Sequence, residues 1–220
     1  MRRGCTILLL GLLSWGDPAG AQQRVIMHPL TVSVHKSLER VVSPSNVEQV
    51  LKAASDLLQQ SANNCMVGFK LQGKVTTFDS DVAPASVDDA DGLEKVHRVP
   101  AKVKIVQHIN FCINGPEYGL VGCSWRPNKN LPKTVIISAD VMMYGFEPMI
   151  LAHEYGHVAG LLHRDDPERG EALMTPCAIT AFNYRVNGAE CARFKAGPPK
   201  SYPPGSGLAC GRGTYGQRTD

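Results

Sequence analysis

Apolar and polar residues alternate over Leu30–Val34 (LTVSV), a period of two that predicts a strand. The period then changes. Between Val47 and Gln60 the apolar positions are Val47, Val50, Leu51, Ala54, Leu57 and Leu58, which share one helix face, and Ser45 is placed to cap its start. Short apolar runs at Met66–Leu71, Val103–Ile109, Leu120–Trp125 and Thr134–Ser138 predict four more strands. Turn formers on both sides of Leu120–Trp125 (Gly115-Pro116-Glu117 and Arg126-Pro127-Asn128) make that strand short and place it at a sheet edge. Residues 79–92 (DSDVAPASVDDADG) are acidic and turn-rich and read as a solvated loop. Their spacing matches no EF-hand, so Ca²⁺ there is conceivable but unsupported. From Ala196 onward Gly and Pro dominate, which predicts a tail that wraps the surface or is disordered, anchored at Cys210. Strand, helix, strands and helix in this order are an α+β or mixed arrangement without internal repeats.

The first residues have a separate character. Arg2 and Arg3 precede the apolar run Ile7–Leu13, and Ala19-Gly20-Ala21 has the small-x-small form of a cleavage site. This predicts a Sec-type signal peptide over residues 1–21 and a secreted or periplasmic product. The apolar run is too short to cross a ~30 Å hydrocarbon core, so no membrane span is expected. Of the 220 residues, cleavage after Ala21 leaves 199, with six cysteines. An even count in an exported chain suggests up to three disulfides, among fifteen possible connectivities. The most local pairing joins Cys112 to Cys123 and Cys177 to Cys191, leaving Cys65 and Cys210 to tie down the tail. No C-x-x-C pair exists, which argues against a cysteine zinc site. A net charge of +3, from 23 bases and 20 acids, and 6% aromatic residues give no basic stripe or stacking surface for nucleic acid.

The chemistry is concentrated after Glu147. Pro148 fits the first turn of a helix. His153 and His157 are four residues apart, so both imidazoles leave the same helix face one turn apart, the arrangement two nitrogens need to hold one Zn²⁺. Glu154 lies one step round, beside the metal position, where a carboxylate can act as a general base. Gly160 tolerates the positive φ that ends a helix sharply, so His163 can return as a third ligand. Three imidazoles leave a fourth coordination position open, which is the catalytic rather than the structural pattern. His28, His35, His97 and His108 have no partner spacing and read as surface or strand residues.

The string His153-Glu154-x-x-His157-x-x-Gly160-x-x-His163, followed by Ala172-Leu173-Met174-Thr175-Pro176, resembles the metzincin clan of zinc endopeptidases, and within it the matrixins. The tight match covers Leu151–Pro176. The chain departs from matrixins at Arg164, where they carry a small hydroxyl residue, and in a longer stretch from His163 to Met174. The resemblance implies a metzincin-like fold: a twisted, mostly parallel sheet with an antiparallel edge strand, a backing helix, an active-site helix and a small irregular C-terminal lobe. The catalytic domain would span 22–195, with an upper lobe of about 22–160 and a lower lobe of about 161–195, followed by the tail at 196–220.

The same resemblance implies one catalytic Zn²⁺ held by His153, His157 and His163, with Glu154 as base and Met174 as a floor beneath the imidazoles. The substrate would be an extended polypeptide paired to the Leu120–Trp125 edge. Ala178, Ile179, Phe182 and Tyr184 are candidates for the substrate-pocket wall. No PRCGxPD-like segment occurs, so the enzyme would be secreted without zymogen control or held by a separate protein inhibitor as partner. The expected state is a monomer. Two other classes stay open: a catalytically weak module that binds zinc and a protein partner, and a structural secreted protein that binds no zinc.

Overall fold

The computed structural model describes residues 24–61, 63–112, 115–124, 133–140, 147–164, 172–175 and 185–200. The signal segment 1–21, Trp125, Pro176, Cys177, Ala178, Ile179, Phe182, Tyr184, Cys210 and the tail beyond 200 lie outside them.

The fold is mixed α+β. The strand expected at Leu30–Val34 is two pieces, β1 (Ile26–Leu30) and β2 (Val32–His35), which change partners at Thr31. β1 pairs in parallel with β3 (Val67–Leu71). β2 enters a five-stranded sheet with β4 (Thr76–Phe78), β6 (Val103–Val106), β10 (Val135–Ser138) and β9 (Gly122–Ser124), in the order β4-β2-β6-β10-β9. Every pairing in this sheet is parallel except β10 with the terminal strand β9. A smaller sheet joins β5 (Ser86–Val87), β7 (His108–Cys112) and β8 (Gly115–Leu120). The stretches expected to be single strands at Val103–Ile109 and Leu120–Trp125 are therefore each divided between two sheets.

The cap of helix α1 (Pro44–Gln60) lies two residues before the expected one. Ser43, not Ser45, is the N-cap, because Pro44 supplies a pre-set φ at the first position and Asn46 completes a capping box with Ser43. Val47, Leu51, Ala54 and Leu58 of α1 and the buried face of α3 (Glu147–Val158) cover one side of the large sheet. Helix α2 (Ala90–Arg98) covers the other side with Leu93 and Val96, against Val106, Ile136 and Ile109. Val135 and Ile137 face the first cluster and Ile136 the second, as expected of an inner strand buried on both faces.

Two stretches expected to be irregular carry regular structure. The acidic stretch 79–92 is not one loop: it carries β5 and the first turn of α2, with Asp89 as N-cap accepting from the Gly92 amide at 2.7 Å. Acids there complement the positive end of the helix dipole, so a composition that reads as loop serves a helix start. The C-terminal segment expected to be irregular carries α4 (Gly188–Ala196), begun by a capping box between Asn187 and Glu190.

The disulfides are Cys112–Cys123 and Cys65–Cys191. The second corrects both of the other local pairings, Cys177 with Cys191 and Cys65 with Cys210. It spans a sequence separation of 126 residues and ties α4 to the turn before β3. Closing so long a loop is worth about 4–5 kcal/mol in the chain-entropy description. The two disulfides fit an extracellular or periplasmic protein. No helix among the described residues is long and apolar enough to cross a membrane.

His97 is fully buried in α2, against the expectation of a surface or strand position. Its Nδ1 shares a 2.6 Å hydrogen bond with the Thr134 hydroxyl, and its carbonyl accepts from Lys104 Nζ at 3.1 Å. Burial, with Lys104 nearby, lowers the His97 pKa to about 3; burial, with Lys102 nearby, lowers that of Lys104 to about 7. Between pH 3 and 6.5 the unfolded chain therefore binds a proton at His97 that the folded chain does not. Stability present above pH 6.5 is lost as pH falls through this window, on the order of 4–5 kcal/mol in all. In the metal-free protein, His97→Gln is expected to lose stability less steeply than the wild type between pH 6.5 and 4, by about 1 kcal/mol per pH unit. Urea midpoints across that range check it; parallel curves would mean His97 does not carry the acid sensitivity.

Candidate metal centre

Helix α3 is buried between the large sheet and α4, and almost every residue in it is enclosed. Tyr155 packs edge-on against Phe69, with ring centroids 4.8 Å apart. Gly156 leaves the space that Met174 occupies: a Cβ there would stand 2.5 Å from the Met174 sulfur and 3.1 Å from the Phe194 ring of α4. The helix gives way to a turn at Ala159 and Gly160, the latter with φ +94°, and the Leu161 amide donates back to the Gly156 carbonyl at 2.9 Å. The chain then doubles back and presents His163 to the helix.

His153, His157 and His163 converge. Their Nε2 atoms stand 3.0, 3.1 and 3.3 Å from one another. The Nδ1 atoms of His153 and His157 donate to the Leu173 carbonyl at 2.7 Å and the Leu161 carbonyl at 3.0 Å. A neutral imidazole that donates from Nδ1 keeps its lone pair on Nε2. Two lone pairs thus face each other at hydrogen-bond distance with no proton of their own to share, a repulsive arrangement that a cation relieves. Burial also lowers the pKa of His153, the direction that keeps it neutral and able to bind metal. A tetrahedral ion with M–N bonds of ~2.0–2.1 Å needs N···N edges of about 3.3 Å, so the triangle fits. Among the described residues this is the one group of three or more His, Cys, Asp or Glu side chains that can hold a metal ion.

The supports come from three separate segments. Leu173, in the turn Ala172–Thr175, holds His153; that turn is closed by Thr175, whose hydroxyl donates to the Ala172 carbonyl at 2.7 Å. Met174 follows, fully buried, and its carbonyl accepts from the Arg164 amide at 2.9 Å, next to the third histidine. Arg164, the departure from the matrixin pattern, also directs its guanidinium toward Glu190 of α4 at 3.8 Å, with both side chains largely buried. Sequence spacing contains no sign of this pair, because its members are 26 positions apart on segments with no common periodicity.

Glu154 is buried and is not part of the nitrogen cluster. Burial raises its pKa to about 7, against the opposing effect of a hydrogen bond from the Ser124 hydroxyl of β9. The other histidines stay apart from the centre. His28 of β1 donates to the Phe194 carbonyl at 2.7 Å, His35 of β2 accepts from the Ser37 amide, and His108 of β7 meets Asp140 at 2.6 Å.

No protein-family model matches the chain, and no curated protein does. Among solved structures, a chain from "Structure of a chaperone-substrate complex" superposes with a TM-score of 0.44 at 15% identity, over 78% of this chain and 34% of that one. This chain thus spans about a third of the length of that chain.

Proposed function

We propose that the protein is a secreted zinc-dependent endopeptidase of metzincin type, with His153, His157 and His163 holding one Zn²⁺ and Glu154 acting as general base. The observation that carries the reading is the triangle of Nε2 atoms, with edges of 3.0–3.3 Å and two of its tautomers set by backbone carbonyls. Imidazole donors suit zinc, and a site with three protein ligands keeps a position for water or substrate. Zn²⁺ bound there supplies Lewis acidity, lowering the pKa of a water toward ~7 and polarising a peptide carbonyl.

The chain's own residues do the rest. The Glu154 carboxylate takes a proton from the attacking water, then gives it to the departing amine nitrogen. The same carboxylate serves both steps, first as acceptor and then as donor of the one proton. The terminal strand β9 offers an edge along which an extended peptide can add as a further strand, held by main-chain hydrogen bonds. Cleavage at a peptide bond would then depend on backbone shape first and on side-chain pockets second.

The test is metal-dependent cleavage. The purified mature chain is expected to contain about one zinc by elemental analysis and to hydrolyse casein. A chelator should abolish hydrolysis and added Zn²⁺ restore it. Zinc binding without cleavage of casein or of a peptide library would favour the module that binds zinc and a protein partner. Absence of zinc uptake would remove both.

A further inference from the structure

We infer that the edge strand β9 is a built seat for Glu154, in which Gly122 and Ser124 are positioning residues for the general base. The inference rests on the endopeptidase reading for what Glu154 does, but the seat itself is visible in the packing. Gly122 and Ser124 are two apart on a strand, so they share a face, and that face meets α3. A Cβ at residue 122 would lie 2.7 Å from both Cγ and Oε1 of Glu154 and 2.9 Å from Cγ2 of Ile150. Glycine is therefore needed there for lack of bulk: any side chain drives Glu154 off the strand or the strand off the helix. Two residues along, on the same face, the buried Ser124 side chain is a hydrogen-bond partner of the Glu154 carboxylate. The close approach at Gly122, with Ser124 as a polar neighbour on the same face, seats the carboxylate against the strand.

The strand is itself held from behind. Cys123, between the two seat residues, points to the opposite face, is buried there and is bonded to Cys112 at the end of β7. On the inner side β9 pairs with β10, with Gly122 opposite Ile137 and Ser124 opposite Val135. A three-residue edge strand would otherwise fray easily; here a disulfide and a strand pairing hold the surface against which the base packs. The same strand would therefore present one edge to the substrate and one face to the base, fixing the distance between them.

The experiment uses the full secreted chain, zinc-loaded for kinetics and metal-free for stability. Ser124→Ala is expected to keep its zinc and its KM and to lose about 10-fold in kcat, since the carboxylate stays present but is less well placed. Ser124→Thr, which retains the hydroxyl, should recover most of that loss, and Gly122→Ala should lower kcat further. Independently of activity, thermal midpoints of the metal-free wild type, Ser124→Ala, Glu154→Ala and the double variant form a cycle. The shift of the double variant should differ from the sum of the single shifts by at least about 2 °C. Additive shifts overturn the seat, whether or not the wild type cleaves peptides, and so does an unchanged kcat in Ser124→Ala. A wild type that holds zinc and cleaves nothing overturns the endopeptidase reading instead, and a non-additive cycle would still support the seat.

Discussion

Glu154→Ala is expected to retain about one zinc per chain while hydrolysing casein at least about 100-fold more slowly than the wild type, the low end of what a positioned general base contributes. Metal retention follows from the geometry: the ligand triangle consists of His153, His157 and His163, and the carboxylate is outside it. Stability should hold as well. In the metal-free chain the Glu154 pKa lies near 7 instead of 4.5, so its favourable contribution is present below pH 4.5 and is lost as pH rises to 7. Above pH 7 the buried carboxylate costs on the order of 3 kcal/mol, which the alanine variant does not incur. That relief offsets the cavity left beside Gly122. Elemental analysis and a casein assay on the zinc-loaded protein, and a thermal midpoint on the metal-free protein, check the three statements. Cleavage at the wild-type rate would remove Glu154 as the base, and loss of zinc would mean that it contributes to binding.

His163→Ala should lower zinc affinity by more than about 100-fold, beyond the 10–100-fold typical of residues that merely support a ligand. This histidine is the most informative of the three to remove. His153 and His157 are enclosed within α3, so their loss also leaves a void beneath the sheet. His163 lies past the helix, on the segment that turns at Gly160, and is the least buried member of the triad. Its removal leaves two imidazole nitrogens 3.0 Å apart, a bidentate site that water completes poorly for an ion needing a strong third donor. Zinc content after dialysis against a weak chelator is the measurement, with circular dichroism to show that α3 is intact. Unchanged zinc content would mean that the third ligand is another group.

The readable parts of this molecule are those set by local periodicity. A spacing of four puts His153 and His157 on one side of α3 whatever surrounds it. A glycine three residues later is the usual place for the positive φ found at Gly160. The apolar run that becomes β10 and the helical stripe of α1 are likewise patterns of a few consecutive positions. The errors occur where local composition served another purpose. Asp88, Asp89 and Asp91 read as loop because acids and turn formers are shared between loops and helix starts, and only the packing of Leu93 and Val96 on Val106 and Ile136 distinguishes them. The strand break at Thr31 was hidden because one alternating run can serve two sheets.

What the residue order determined was the triad's spacing and the set of elements carrying it, since both depend on contacts within a few positions, where backbone geometry leaves few alternatives. Tertiary structure alone decided that Cys191 meets Cys65, that Arg164 reaches Glu190, that carbonyls of Leu161 and Leu173 set two tautomers, and that Glu154 rests on Gly122 and Ser124. Most of these join segments tens of residues apart. Their partners are selected by strand order and helix packing, which depend on the whole core at once and leave no periodic trace in either segment.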